Sequence, residues 1–153
     1  MPSAPTASGD LMGESMVMQA SAVAIDGRAL LIEGEPGSGK SSLALALIDR
    51  GAQLIGDDGV TLTPAGENLI ASPPPNIEGL LEVRGVGLVE MPVAKGTPVA
   101  LILALGAHGE RLPQRIPTRT IMGYDIPCLP FEPGAIAPAQ RARWALKTHG
   151  LAK

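Results

Sequence analysis

One cysteine, one tryptophan, one tyrosine and one phenylalanine in 153 residues set several function classes aside at once. A lone Cys128 cannot close an internal disulfide; flanked by apolar residues, it reads as core packing in a reducing compartment. So few rings leave little on which bases could stack. A formal net charge of −3 supplies no broad cationic surface for a phosphate backbone, so nucleic acid is not an expected partner. The two histidines, His108 and His149, are too isolated to make a metal pair, and His149 near a helix end is explained by the helix dipole. No cationic stretch precedes an apolar run at the start of the chain, and the longest apolar run, 99–105, falls well short of the ~20 residues a membrane span needs. A soluble, cytoplasmic protein without a membrane partner is expected.

What the chain does have is turn chemistry. Hydrophobic residues make up 45% and charged residues 18%, with 19 glycines and 15 prolines, which describes a globular, loop-rich domain rather than one of long helices. Residues 1–15 are small and polar and read as a flexible tail; residues 16–153 read as one domain. Two apolar runs around Asp26-Gly27, between Ala20 and Glu33, predict a strand, a tight turn and a strand. The spacing of Leu43, Ala44, Leu47 and Ile48 predicts a helix over 41–50, with Gly51 as its stop. Residues 54–63 read as strand, turn, strand. The prolines at 73–75 break the chain, and Gly85 and Gly87 interrupt the apolar segment beyond them. Residues 99–105 predict a buried strand, and 138–146 a terminal helix with proline at its start.

Between the second strand and the helix lies Gly34-Glu35-Pro36-Gly37-Ser38-Gly39-Lys40-Ser41, which matches the phosphate-binding pattern G-x-x-x-x-G-K-[ST] in full and in the context that pattern requires. Glycines let the backbone turn several N–H groups inward, and the helix adds the positive end of its dipole. Residues Gly34 to Ser41, with Ser42 beside them, are the expected nucleotide cradle. Lys40 supplies a point charge for the β and γ phosphates, and the Ser41 hydroxyl is the expected magnesium ligand. ATP and magnesium are therefore the expected cofactors, although this cradle does not distinguish an ATPase, a GTPase, a small-molecule kinase and a protein kinase.

Asp57 and Asp58 close the strand after that helix. A strand lying next to the loop's own strand would bring them toward the γ phosphate, where one carboxylate accepts a proton from an incoming hydroxyl while the other orients. Asp58-Gly59 is equally a good hairpin turn. Glu82 and Arg84 alternate with aliphatic residues, as on a strand with one charged face. Arg111, in a polar loop, is a candidate to offset charge on a transferring phosphoryl group.

Taken together, GEPGSGKSSLALALIDRG, LIGDDGV and LLEVRGVGLVEMP resemble the catalytic domain of HPr kinase/phosphorylase, over about 18–146 and most strongly to Pro92. The resemblance implies an α/β P-loop nucleotide-binding domain with a phosphoenolpyruvate carboxykinase-like fold, a mixed sheet and few helices. It implies an ATP-dependent serine kinase acting on an HPr-like phosphocarrier of the phosphotransferase system, assembled as a homo-oligomer such as a hexamer. By position it makes Asp58 the proton acceptor with Asp57 beside it, Glu82 a second magnesium ligand and Arg111 a catalytic arginine. Gln19 stands where the family has histidine. Leu129-Pro130-Phe131-Glu132-Pro133-Gly134 replaces a motif that carries arginine, so kinase activity without efficient phosphorolysis is expected. A P-loop kinase of a small molecule and a non-catalytic, nucleotide-binding regulatory paralogue remain the alternative readings.

Overall fold

The computed structural model describes residues 14–152, so the expected 1–15 tail falls almost wholly outside the described residues. In chain order the elements are β1 (Met16–Met18), β2 (Ser21–Ile25), β3 (Arg28–Glu33), α1 (Lys40–Ile48), β4 (Gln53–Gly56), β5 (Val60–Ala65), β6 (Asn68–Ser72), β7 (Leu80–Val83), β8 (Gly87–Glu90), β9 (Thr97–Leu105), β10 (Thr118–Ile121), β11 (Tyr124–Phe131) and α2 (Pro138–His149).

The 20–33 segment folds as its sequence predicts. Asp26 (φ 52°) and Gly27 (φ 78°) both adopt the left-handed conformation, which matches the twist of the flanking strands, and β2 pairs antiparallel with β3 from Ser21–Ile32 to Ile25–Arg28. Helix α1 starts at Gly39 (φ 103°) and ends at Gly51 (φ 103°). There the Ala52 N–H donates to the Leu47 carbonyl and the Gly51 N–H to that of Ile48, a Schellman closure that satisfies the last carbonyls. In α2, proline opens the first turn, and Ala139, Ala142, Ala145 and Leu146 form the buried stripe.

Nine strands form one mixed sheet, in the order β1-β5-β6-β9-β3-β2-β4, with the β10–β11 hairpin attached through β11 to β9. Along one edge β9 pairs in parallel with β3. Its other edge is shared: Thr97 and Pro98 pair antiparallel with β6, and Ile102 to Leu105 pair in parallel with β11. The strands near the centre bury both faces, which explains why 99–105 is continuously apolar. Leu30, Ile32, Leu101 and Leu103 face α1 and α2 in one cluster. Ala29, Leu31 and Ile102 face the other way, against Val60, Leu62, Leu69, Ala71, Ile121 and Ile126. The sheet thus carries helices on one side and covers the other with its own antiparallel strands.

Three expectations are corrected. The strand ending at Asp57 is not next to the loop strand: β2 pairs on one side with β3 and on the other with β4. The two-residue turn at Asp26-Gly27 fixes β2 against β3 and leaves β4 only the outer edge. Nor is Asp58-Gly59 a hairpin turn, because β5 pairs with β1 and β6 rather than with β4. The 80–90 segment, which reads as one interrupted strand, is a separate two-stranded hairpin, β7–β8, turning where Gly85 has φ 80°. Its Leu81 is fully buried, while Val86 and Leu88 are exposed. Among the described residues no helix is long and apolar enough to cross a membrane.

Candidate nucleotide and phosphoryl site

The glycine loop follows the carboxyl end of β3 and leads into α1. Its turn is enforced from within: a Cβ on Gly34 would lie 2.4 Å from Ser38 Oγ, so no larger residue fits while Ser38 stays folded beneath. Gly37 (φ 84°) and Gly39 (φ 103°) are left-handed, and the Ser38 N–H closes the tip on the Glu35 carbonyl at 3.0 Å. Lys40 is half-buried and donates from Nζ to the Gly34 carbonyl at 2.7 Å, folding the cation back over its own loop.

Below the loop, Glu33 and Arg119 of β10 form a two-pronged ion pair, the strong geometry for these groups. Bonding to Glu33 raises the Arg119 pKa. The same guanidinium approaches Cys128 Sγ at 3.6 Å; burial pushes the Cys128 thiol up, against the opposing pull of Arg119. Cys128 packs against the second core cluster, as the sequence implies. On the far side Pro133 lies near Gly39, 3.9 Å from where a Cβ would stand. Arg141 of α2 holds the Ile136, Glu132 and Pro133 carbonyls with its guanidinium 4.9 Å from the Phe131 ring centre. The 129–134 segment is therefore beside the loop, and the arginine that reaches it is spent on backbone carbonyls.

The acid turn reaches the loop through three local devices. A register shift between β2 and β4 falls where Ala22 opposes Gly56 and Val23 opposes Leu54, a bulge that re-aims the residues after it. Gly56 is obligatory, since its Cβ would stand 2.0 Å from the Gly59 carbonyl oxygen, and Pro74 of the proline run packs 3.5 Å from where one on Gly59 would be. Asp58 adopts φ 61°, a conformation that Asp tolerates better than most residues.

Asp57 is half-buried and heavily bonded. Its Oδ1 accepts the Ser41 hydroxyl at 2.6 Å and the Ser21 hydroxyl at 3.0 Å, and its Oδ2 accepts the Glu82 backbone N–H at 3.1 Å. Asp58 is exposed, and the bond found for it is from its backbone N–H to Ser21 Oγ, 3.4 Å. The Glu82 side chain is exposed; what its residue gives the acid turn is the backbone N–H.

An open cleft of about 480 Å³ unites these pieces. Of the sequence candidates it is lined by Gly34, Pro36, Gly37, Gly39, Lys40, Ser41, Ser42, Asp57, Asp58 and Glu82, together with Gln19 and Arg84. Glu35 and Ser38 belong to the loop without lining the cleft. Arg111 does not line it either; it is exposed in the segment between β9 and β10. Ser21 and Arg84 are the site residues that sequence reasoning did not select. Arg84, two residues from Glu82, reads as part of a charged strand face. No signal marked Ser21.

The chemistry open to this cleft is that of an anion bound by backbone N–H groups and Lys40, with Ser41, Asp57 and Glu82 supplying oxygen donors. Among the described residues no group of three His, Cys, Asp or Glu could hold a metal by itself. That donor set fits magnesium, which is commonly held by one or two carboxylates together with substrate phosphates.

Comparison with known proteins identifies the family. Residues 10–135 match the family model described as HPr serine kinase C-terminal domain. HPr kinase/phosphorylase of Prosthecochloris aestuarii is 33% identical over 140 residues, covering 82% of this chain and 41% of that protein. The Clostridium tetani enzyme of the same name is 45% identical over 74 residues, 48% of this chain and 24% of that one. The chain thus spans a quarter to two fifths of these relatives. The structure of the Hpr(Ser) kinase/phosphatase from Coxiella burnetii superposes with a TM-score of 0.73 at 29% identity, covering 86% of this chain and 89% of that one. Loop, acid turn, hairpin and comparison converge on one assignment: the chain belongs to the HPr serine kinase C-terminal domain family.

Proposed function

We propose that this protein is a P-loop kinase transferring the γ phosphoryl group of ATP to a serine hydroxyl of an HPr-like phosphocarrier. The observation that carries the reading is the placement of Asp57 on the Ser41 hydroxyl at 2.6 Å with the Asp58 carboxylate left exposed in the same cleft. Lys40 exchanges the Gly34 carbonyl for phosphate oxygens when nucleotide enters, and the loop N–H groups hold the remaining negative charge. Asp57 keeps Ser41 in place, and Ser41 with Glu82 are the ligands offered to magnesium. When bound, magnesium offsets phosphate charge and fixes the γ phosphoryl for in-line attack.

Asp58 accepts the proton of the serine hydroxyl as its oxygen bonds to the γ phosphorus. The bond from that phosphorus to the bridging oxygen breaks, and ADP leaves with the electron pair. Arg84, which lines the cleft, and Arg111, which sits outside it, are the two candidates to stabilise the transferring group. Arg141 is committed to carbonyls and Glu132 stands in the late segment, so inorganic phosphate finds no free arginine there. Kinase activity without efficient phosphorolysis follows. Cytoplasmic location and a homo-oligomeric state, such as a hexamer, are part of the same reading.

The test is incubation with magnesium, γ-labelled ATP and a panel of HPr-like carriers, with the labelled residue identified by mass spectrometry. Label on a carrier serine, absent with Lys40→Ala, is the expected result. Nucleotide binding with every carrier unlabelled, but a small hydroxyl compound labelled, would move the acceptor class; binding without turnover would make the protein a sensor.

A further inference from the structure

Ser21 and Thr97 are the buried polar side chains of the described core, and Ser21 is wholly shielded from solvent. Its chain neighbours Ala20, Ala22 and Val23 are equally buried, so a hydroxyl brings nothing to packing that alanine would not. Shielding a hydroxyl is unfavourable unless its hydrogen-bonding capacity is used. Here both roles are filled. Ser21 Oγ donates to Asp57 Oδ1 at 3.0 Å and accepts the Asp58 backbone N–H at 3.4 Å.

One atom therefore holds two adjacent acids by different handles: the side chain of Asp57 and the main chain of Asp58. The first bond fixes the carboxylate rotamer that receives the Ser41 hydroxyl at 2.6 Å. The second supports a backbone with φ 61°, which a non-glycine residue keeps only when its surroundings over-determine it. Ser21 does not line the cleft; its side-chain bonds go to the two acids, and its effect passes through them.

We propose that Ser21 is a positioning residue that sets the division of labour between the two acids, holding Asp57 on Ser41 and turning the Asp58 carboxylate free into the cleft. The inference rests on the phosphotransfer reading above. In Ser21→Ala, Asp57 keeps Ser41 on Oδ1 and the Glu82 N–H on Oδ2 but loses one of its three restraints, and the Asp58 N–H loses its partner. A Ser41 hydroxyl that no longer donates steadily to Asp57 is a poorer ligand for a divalent cation.

The test compares wild type, Ser21→Ala and Ser21→Thr for Mn2+ affinity in saturating ADP by electron paramagnetic resonance, ADP affinity without metal, and steady-state phosphotransfer. In Ser21→Ala, Mn2+ affinity falls about tenfold and kcat about 10–100-fold, the scale seen when a partner of a metal-site residue is removed. Metal-free ADP affinity and the nucleotide KM change less than about threefold, because the loop is untouched. Ser21→Thr, which keeps the hydroxyl, restores both losses. If the alanine variant does not fold, Ser21→Cys keeps the size with a much weaker donor and is read the same way.

Wild-type Mn2+ affinity and kcat in Ser21→Ala overturn the inference and leave the phosphotransfer reading standing. So does a loss that Thr fails to restore, which would assign the effect to packing. A wild-type protein whose Mn2+ affinity is unaffected by ADP removes the phosphotransfer reading, and this inference with it.

Discussion

At the scale of the residue, the two acids differ in what each is already bonded to. Both oxygens of Asp57 are occupied by hydroxyls and a backbone N–H, which suits a group that holds others in place. The carboxylate of Asp58 is exposed and free to take a proton. Asp58→Asn should therefore lower phosphotransfer by about 10²–10⁴-fold, the usual worth of a general base, with nucleotide binding retained; isothermal titration beside the labelling assay checks both halves. Turnover that survives would transfer the base role to another group. The arginines separate in the same assay. Arg84→Ala should cost about tenfold or more in kcat and Arg111→Ala about twofold or less, because only Arg84 faces the cleft. The reverse order would show that the 106–117 segment closes over bound nucleotide. Cys128 makes a pH prediction. Its pKa is raised above the ordinary 9.0 by burial, so the folded state holds the thiol neutral where the unfolded chain would ionise it. The corresponding stability is present below the ordinary value and is lost as pH rises through the elevated one. Cys128→Ser should flatten that alkaline fall in denaturant titrations at rising pH.

Among the elements, the acid turn shows where sequence patterns stop. The β2–β3 hairpin, α1, β9 and α2 were legible because each is a local pattern: a two-residue turn, a helical period closed by glycine, an apolar run, a proline at a helix start. The glycine loop was legible for the same reason, and with it most of the cradle. What the sequence does not carry is the order of strands. Nothing local says that β4 lies beyond β2, or that β5 leaves to join β1 and β6, since these pairings depend on long-range competition for sheet edges. Ser21 was missed on this account: it becomes a site residue only because β2 separates β4 from β3. The β10–β11 hairpin, with Met122 (φ 52°) and Gly123 (φ 88°) at its turn, carried a readable signal in Met-Gly, but the turn is not one of the usual asparagine or aspartate pairs. The element most exposed to a single change is the bulged end of β4. Gly56→Ala puts a methyl 2.0 Å from the Gly59 oxygen and should cost about 2–4 kcal/mol, as severe overpacking does. A urea midpoint shift with an unchanged slope would measure it, and a variant as stable as wild type would mean that the turn can move away from Pro74.

Across the whole molecule, the sheet is held by two clusters on opposite faces, whereas the site lies at the carboxyl end of β3, where parallel pairing with β9 leaves a crevice with a helix start facing it. The parts of the site come from β2, the loop, α1, the acid turn and the β7–β8 hairpin, and the side-chain bonds that join them include Asp57 to Ser41, to Ser21 and to the Glu82 N–H, and the Asp58 N–H to Ser21. A ligand bridging the loop and the acid turn would therefore tie the hairpin to the body, and its binding energy would add directly to folding stability. Magnesium with ATP at a hundred times its dissociation constant should stabilise the protein by about 2.7 kcal/mol, a rise of roughly 5–10 °C in Tm for a domain of this size. ATP with chelator should give a smaller rise, because it engages the loop and not the acids, and Lys40→Ala should abolish most of both. The discriminating comparison is Asp57→Asn. If the two halves of the cleft act as one site through that carboxylate, this variant keeps the metal-free increment and loses the magnesium-dependent one. Equal increments from magnesium in wild type and Asp57→Asn would mean that the cation is held by nucleotide alone, and that the acid turn meets only the acceptor.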